Sequence, residues 1–179
     1  MTETVTAQAK PAAGETPFRG DTGKGMSWGR VIHRMLESLA RDDTCNLDLM
    51  AENLLREEGR PLSEKDAVVE TVKEVVASKL WGRMKGAEEA LFEVPFSTKT
   101  DDRGKPKVMS GTIDLAFREH DGWVLADYKT DTVGESLPDL IDYYRHQVEI
   151  YRTLWQDMSG EPVKEAGLFF VDGSRWVRV

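Results

Sequence analysis

Cysteine is almost missing from this chain: Cys45 stands alone in 179 residues. That excludes an internal disulfide framework, a four-cysteine zinc site and an iron–sulfur cluster, and it suits a reducing cytoplasm. Long apolar runs are also lacking. None approaches the roughly 18 residues that a membrane-spanning helix needs, and the first residues carry no secretory apolar segment. Positive charge is scarce, with 24 Lys and Arg against 32 Asp and Glu and a net charge of -8. A protein that holds nucleic acid by bulk electrostatics alone would show the opposite balance, although local basic patches remain available to it. A nucleotide loop is missing as well. The stretch GDTGKG comes nearest, but Phe18 stands where the loop needs a glycine, and Gly25 follows Lys24 in place of Ser or Thr. No ATP site is expected.

What is present reads as one globular domain, 40% hydrophobic and 31% charged. Residues Met1 to Met26, rich in Ala, Thr, Gly, Lys and Pro, read as a flexible leader or inter-domain linker, so the chain is expected to be an excised domain occupying residues 27–179. Ser27 is placed to cap a helix running to about Ala40, with Val31, Ile32, Met35, Leu36 and Leu39 as its apolar stripe. His33 lies off the centre of that stripe, one turn beyond Gly29, beside a groove that another backbone or a ligand can approach. A second helix is expected over Leu47 to Glu57. A third opens at Ser63 or Asp66 and carries Ala67, Val68, Val72, Val75, Val76 and Leu80. Glu57, Glu58, Glu70 and Glu74 read as solvated.

After Gly86 the period becomes alternating. Leu91 to Ser97 reads as a strand whose Pro95 implies an edge or a bulge, with Glu93 inside it. Thr98 to Lys107 reads as a polar hairpin loop carrying Lys99, Arg103, Lys105 and Lys107, either solvated or in contact with phosphates. Ser136 or Asp139 begins a long helix to about Asp157, on which Tyr144, Gln147 and Tyr151 share a face. Gly160 and Pro162 end it. Strands are expected over Val163 to Val171 and Arg175 to Val179.

The stretch Gly111 to Asp131 organises the rest. His120-Asp121-Gly122 between two alternating apolar runs signals a β-hairpin. With His120 and Asp121 as the loop, Asp114 lies opposite Asp127; with Asp121 and Gly122, it lies opposite Lys129. Either register puts Asp114, Asp127 and Lys129 on one face. Like charges across a strand pair are destabilising, and a divalent cation is the simplest group that would neutralise them. The bland alternative is an exposed face on which Lys129 bridges an acid. Ile113, Leu115, Phe117, Val124, Ala126 and Tyr128 read as the core face. Leu125, on the polar side, means that this side is not simply solvated.

Five blocks in order carry a resemblance: Gly29-His33-Glu37, Glu93-Val-Pro-Phe, Gly111-Thr-Ile-Asp114, Asp127-Tyr-Lys129-Thr and Gln147-x-x-x-Tyr151. Together they resemble the RecB-type nuclease domain of the PD-(D/E)xK superfamily, over about residues 27 to 171, and most closely the C-terminal nuclease domain of AddA and RecB helicase–nuclease subunits. The resemblance implies an α/β restriction-endonuclease-like core, a central mixed sheet flanked by helices, to which the three helices add an N-terminal helical lobe. Ile113 replaces the proline of the superfamily name, and no cysteine cluster for iron–sulfur accompanies the domain.

The implied activity is metal-dependent DNA hydrolysis in double-strand-break repair and recombination. The implied cofactor is Mg²⁺ or Mn²⁺, held by His33, Asp114, Asp127 and the Tyr128 backbone carbonyl. Lys129 would orient or deprotonate the attacking water, and Gln147 and Tyr151 would fix Lys129 or a DNA phosphate. Glu93 would reach the site through water or only pack. The implied partners are single-stranded DNA and a helicase domain or subunit of an AddAB- or RecBCD-type complex, in the cytoplasm and without a membrane. The competing class is a catalytically silent nuclease-like module that guides DNA. Such a module usually loses a metal-binding Asp or the Lys, and here Asp114, Asp127 and Lys129 all remain.

Overall fold

The computed structural model describes residues 2–4, 24–102, 105–133 and 137–179, and the side chains of those beyond 2–4 and 100–107. In chain order the elements are β1 (Thr2–Thr4), α1 (Gly25–Arg41), α2 (Leu47–Glu57), a 3-10 turn (Leu62–Glu64), α3 (Lys65–Val76), α4 (Lys79–Lys85), β2 (Glu89–Asp102), β3 (Lys105–Glu119), β4 (Gly122–Lys129), α5 (Leu137–Ser159), β5 (Val163–Phe170) and β6 (Arg175–Arg178). No helix among the described residues is long and apolar enough to cross a membrane.

The strands form one mixed sheet, six-stranded among the described residues. β3 is its long spine. β2 runs antiparallel along one side of β3, while β4 and then β1 pair with successive parts of its other side. β4 continues the sheet to β5 in parallel and β5 to β6 antiparallel. Of the segment read as a leader, Met1 and residues 5–23 lie outside the described residues, and Thr2–Thr4 pairs with Val108–Ser110.

Both faces of the sheet are covered, which is why its central strands are nearly uniformly apolar. On one face the stripe of α1, joined by Trp28, packs with Leu55, Val68, Val72, Leu80 and Trp81 of the helical lobe against Leu115, Phe117, Val124, Ala126 and Tyr128. On the other, Leu140, Val148, Tyr151 and Trp155 of α5 pack on Ile113, Ala116, Leu125, Leu168 and Phe170. Each fully buried large apolar side chain contributes about 1.5–3 kcal/mol, so the sheet is clamped from both sides.

Several local expectations are corrected. Ser27 is not a cap: α1 begins at Gly25, and Ser27 Oγ instead accepts a hydrogen bond from Arg60. The third helix is two, because Ser78 turns the chain and caps α4 by accepting from the Trp81 N–H. That break leaves Val76 exposed. Glu58 is not solvated but tucked against Arg30 at 2.5 Å. Ile113 packs on the α5 side, away from Leu115, and its partner Val94 changes sides with it relative to Phe92, because the β2–β3 ladder is interrupted at Glu93, whose backbone is left-handed. Thr98–Asp102 and Lys105–Lys107 are paired strand where a loop was expected: β2 and β3 pair from Glu89↔Arg118 out to Asp102↔Lys105. The choice between solvation and phosphate contact for Arg103, Lys105 and Lys107 falls outside the described side chains, and Lys99 is exposed. Pro95 does sit on an edge strand.

Gly167, in the middle of β5, lets β6 approach closely. A Cβ there would lie far inside van der Waals contact with the Val177 carbonyl oxygen and 2.9 Å from the Trp176 ring. Both are fixed by the β5–β6 ladder. Overpacking of this kind costs about 1–3 kcal/mol, roughly 3–10 °C for a domain of this size. Gly167→Ala should therefore lower the thermal midpoint by that amount while Gly82→Ala, at an ordinary helical backbone position with open space around it, should not lower it; calorimetry of the two variants checks it.

Candidate active site

The hairpin turns through His120 and Asp121, with Glu119 paired to Gly122. Of the two registers, this is the one that sets Asp114 across from Asp127. The β3–β4 ladder stops at Leu115↔Ala126. Just beyond, the Asp114 carboxylate takes the backbone N–H of Tyr128 at 2.6 Å, replacing a strand partner with a side chain. The strands part there. The opening is a cleft of about 350 Å³ lined by His33, Gly111, Thr112, Asp114, Asp127, Tyr128, Lys129, Gln147 and Tyr151.

Each side of the sheet delivers one half of the cleft. From the helical lobe, α1 brings His33, and Gly29 lets that helix come close: a Cβ there would meet Thr130 Oγ1 at 3.2 Å. The Tyr128 ring stands edge-on to the imidazole, centroids 5.7 Å apart, and braces it from below. His33 Nδ1 lies 3.5 Å from Asp114 Oδ1 and 3.7 Å from Glu93 Oε1. His33, Glu93 and Asp114 can each offer a ligand atom within 4.8 Å of the others. Glu93 gains this position through a left-handed backbone, φ 48°, in the middle of β2. That conformation costs a non-glycine residue roughly 1–2 kcal/mol.

From the other side, α5 supplies a polar relay. Lys129 Nζ lies 2.5 Å from Asp127 Oδ2 and donates to Gln147 Oε1 at 3.0 Å. Gln147 Nε2 in turn donates to the Tyr151 hydroxyl at 2.7 Å. Gln147 and Asp127 are 3% and 4% exposed, so this polar content sits inside the α5 core and needs the partners it has. Asp127 Oδ2 makes its contact with Lys129 as an ion pair without hydrogen-bond geometry.

Electrostatics shows a site short of positive charge. Burial alone would lower the His33 imidazolium, but the facing carboxylates of Asp114 and Glu93 raise it to about 10. Burial, reinforced by the neighbouring Asp114 carboxylate, pushes Asp127 up to about 6 against the pull of Lys129. Asp114 is held below its usual range despite its burial, by His33, Lys129 and the Tyr128 N–H. Glu93, Asp114 and the His33 imidazole form a hard, anionic donor set of the kind that suits a hard divalent cation, and Asp127, whose Oδ2 lacks a hydrogen-bond partner, lines the same cleft.

A family profile described as "PD-(D/E)XK nuclease superfamily" matches residues 12–176. The chain belongs to this superfamily. Among curated proteins, it is similar to the A-type subunit of the ATP-dependent helicase/nuclease of Clostridium perfringens strain ATCC 13124, 32% identical over 162 residues, covering 79% of this chain and 13% of that protein. The protein of the same name from Bacillus mycoides is 25% identical over 181 residues, 87% and 15% of the two chains. That from Thermoanaerobacter sp. strain X514 is 27% identical over 184 residues, 89% and 15%. The chain thus spans only about one seventh of the length of these relatives. A solved structure described as "Crystal structure of SSO0001" aligns with 87% of this chain and 77% of its own, at 18% identity and a TM-score of 0.40.

Of the site residues expected from the sequence, all but Glu93 line this cleft, and Glu93 stands beside His33; they divide into two groups: His33, Glu93 and Asp114 on one side, Asp127, Lys129, Gln147 and Tyr151 on the other. Two contacts had no assigned role in the sequence. Lys129 Nζ lies 3.9 Å from the centroid of the Tyr144 ring, and the Tyr144 hydroxyl donates to Asp131 at 3.2 Å. The only sequence signal was the i, i+3 spacing of Tyr144 and Gln147.

The raised His33 pKa carries a stability consequence. An imidazolium at about 10 in the fold and 6.5 unfolded stabilises fully below pH 6.5, and that contribution is lost as pH rises through 10. In EDTA, the thermal midpoint of wild type should exceed that of His33→Gln most at pH 6.5, and the gap should close toward pH 10. Melting curves across that range test it; a gap independent of pH would mean the imidazole is neutral in the fold.

Proposed function

We propose that this chain is a Mg²⁺- or Mn²⁺-dependent deoxyribonuclease domain that works within a helicase–nuclease, in double-strand-break repair and recombination in the cytoplasm. The observation that carries the reading is the convergence, at one cleft, of His33, Glu93 and Asp114 with the buried Asp127–Lys129 pair. Membership of the nuclease superfamily and the helicase/nuclease names of the relatives support it.

In this reading His33, Asp114, Asp127 and the Tyr128 carbonyl would hold the metal, with Glu93 placed beside His33 and Asp114 to offer a further donor. The bound metal supplies Lewis-acid stabilisation of charge on the phosphate and lowers the pKa of water. Lys129 orients the attacking water and offsets negative charge that develops at the phosphorus. Gln147 holds the Lys129 ammonium and is itself held by Tyr151. His33 must give up its proton to become a ligand, so metal binding releases protons near neutral pH.

The substrate in this proposal is single-stranded DNA, fed by a helicase partner. With 24 basic against 32 acidic residues, few phosphates can be neutralised. At roughly 0.7 per contact on single strands, a logarithmic salt slope of only about two or three is expected. Tethering to the helicase would supply the missing affinity through effective concentration. A salt titration in Ca²⁺ reads this directly, and tight binding with a steep slope at physiological salt would remove the tethered-domain reading.

The decisive experiment is cleavage of linear and circular single-stranded DNA in Mg²⁺, Mn²⁺ or EDTA. Asp127→Ala should abolish both cleavage and thermal stabilisation by metal, since only the native state binds it. Lys129→Ala should keep Mn²⁺ binding and lose turnover by roughly a hundredfold or more. Equal Mn²⁺ affinity in wild type and Asp127→Ala would overturn the metal assignment, and wild-type cleavage by Lys129→Ala would reduce Lys129 to a salt-bridge partner.

A further inference from the structure

The Lys129 side chain leaves the end of β4, where the strand pairing on the β3 side has already stopped. A lysine has four rotatable bonds and a strongly hydrated head, so one acidic neighbour does not fix its direction. Here the ammonium is met by Asp127 Oδ2 from its own strand, by Gln147 Oε1 from α5, and by the face of the Tyr144 ring, also from α5. The ring covers what the two oxygens leave open, and a cation over an aromatic face is attracted by the ring's quadrupole.

Tyr144 is itself anchored. Its hydroxyl donates to Asp131 Oδ2, and Asp131 lies two residues beyond Lys129 in the segment that leaves β4. Its ring also meets Tyr143 edge-on, centroids 4.8 Å apart. Tyr144 therefore touches the lysine head with its ring and the chain just after the lysine with its hydroxyl. One side chain ties both to α5. The aromatic stripe of α5 is otherwise core, and an ordinary core tyrosine at this position would need neither contact.

We propose that Tyr144 is a positioning residue, whose ring face holds the Lys129 ammonium over the cleft and whose hydroxyl ties the β4 exit to α5. The inference rests on the nuclease reading for its consequence in turnover, but the placement of Lys129 can be measured apart from turnover. It assigns the two functions of the side chain to different atoms, so two substitutions separate them. Tyr144→Phe keeps the ring and loses the hydroxyl. Tyr144→Leu loses both, and Tyr144→Met offers a longer replacement should the leucine variant not fold.

The experiment combines NMR of the metal-free protein with cleavage kinetics. Protons on the Lys129 ε-carbon, which is bonded to the Nζ that lies over the ring, should resonate upfield in wild type and Tyr144→Phe and return to ordinary positions in Tyr144→Leu or Tyr144→Met. In Mn²⁺, kcat should fall roughly tenfold when the ring is lost, and no more than about threefold in Tyr144→Phe, in line with the strength of a desolvated cation–π contact. KM and Mn²⁺ affinity should stay at wild-type values, because Tyr144 touches none of the proposed ligands' donor atoms, whereas general damage to the fold would move them. An ordinary Lys129 shift in wild type, or full kcat without the ring, overturns the inference while leaving the nuclease reading intact. Inactive wild type with the upfield shift present overturns the nuclease reading, and with it the claim that the placement serves turnover.

Discussion

The hydrogen bond from the Tyr128 N–H to the Asp114 carboxylate is the contact on which the site depends. Up to Leu115↔Ala126, β3 and β4 are an ordinary antiparallel pair. At Asp114 a side chain substitutes for the backbone acceptor, so the main-chain donor is satisfied without a neighbouring strand. The sheet can then open without an orphaned buried N–H, and the opening is the cleft. The same carboxylate presents its other oxygen to His33. A single aspartate thus ends a ladder and lines the space that ending creates.

A gap in a sheet survives only if its walls are held from outside. The two apolar layers do this. The helical lobe fixes α1, hence His33, through a continuous core that includes Tyr128 and Phe169. The α5 layer fixes Gln147 and Tyr151 through Val148, Leu168 and Phe170. Gly29 and the strained Glu93 are local concessions that bring the two halves within reach of each other. Such departures from local preference gather where a chain serves function over stability.

Charge follows the same logic. Two buried carboxylates, Asp114 and Asp127, meet at the cleft with Glu93 beside them, and the protein answers with protons and a lysine: His33 stays cationic well above its ordinary range, and Asp127 ionises late. An arrangement that is unfavourable by itself and is relieved by a divalent cation is the electrostatic signature behind the proposed function.

Much of this was legible in the chain because it is local. Helical and alternating periods placed α1, α2, α5 and the hairpin, Asp-Gly placed its turn, and period two put Asp127 and Lys129 on one face. Other features depend on partners distant in sequence, which periodicity does not encode. The register that sets Asp114 across from Asp127 was one of two open to the sequence, and the ladder decided it. Ile113 changed sides because the β2–β3 ladder is interrupted at Glu93, and Thr98–Asp102 and Lys105–Lys107 became paired strand because β2 and β3 continue past the core. The approach of Glu93 to His33, 60 positions apart, needs α1 and β2 to meet across the helical-lobe face of the sheet. The Tyr144 ring over Lys129 needs α5 to fold back onto the opposite face. The sequence determined which side chains could share a face; packing of the two layers on the sheet determined which of them meet.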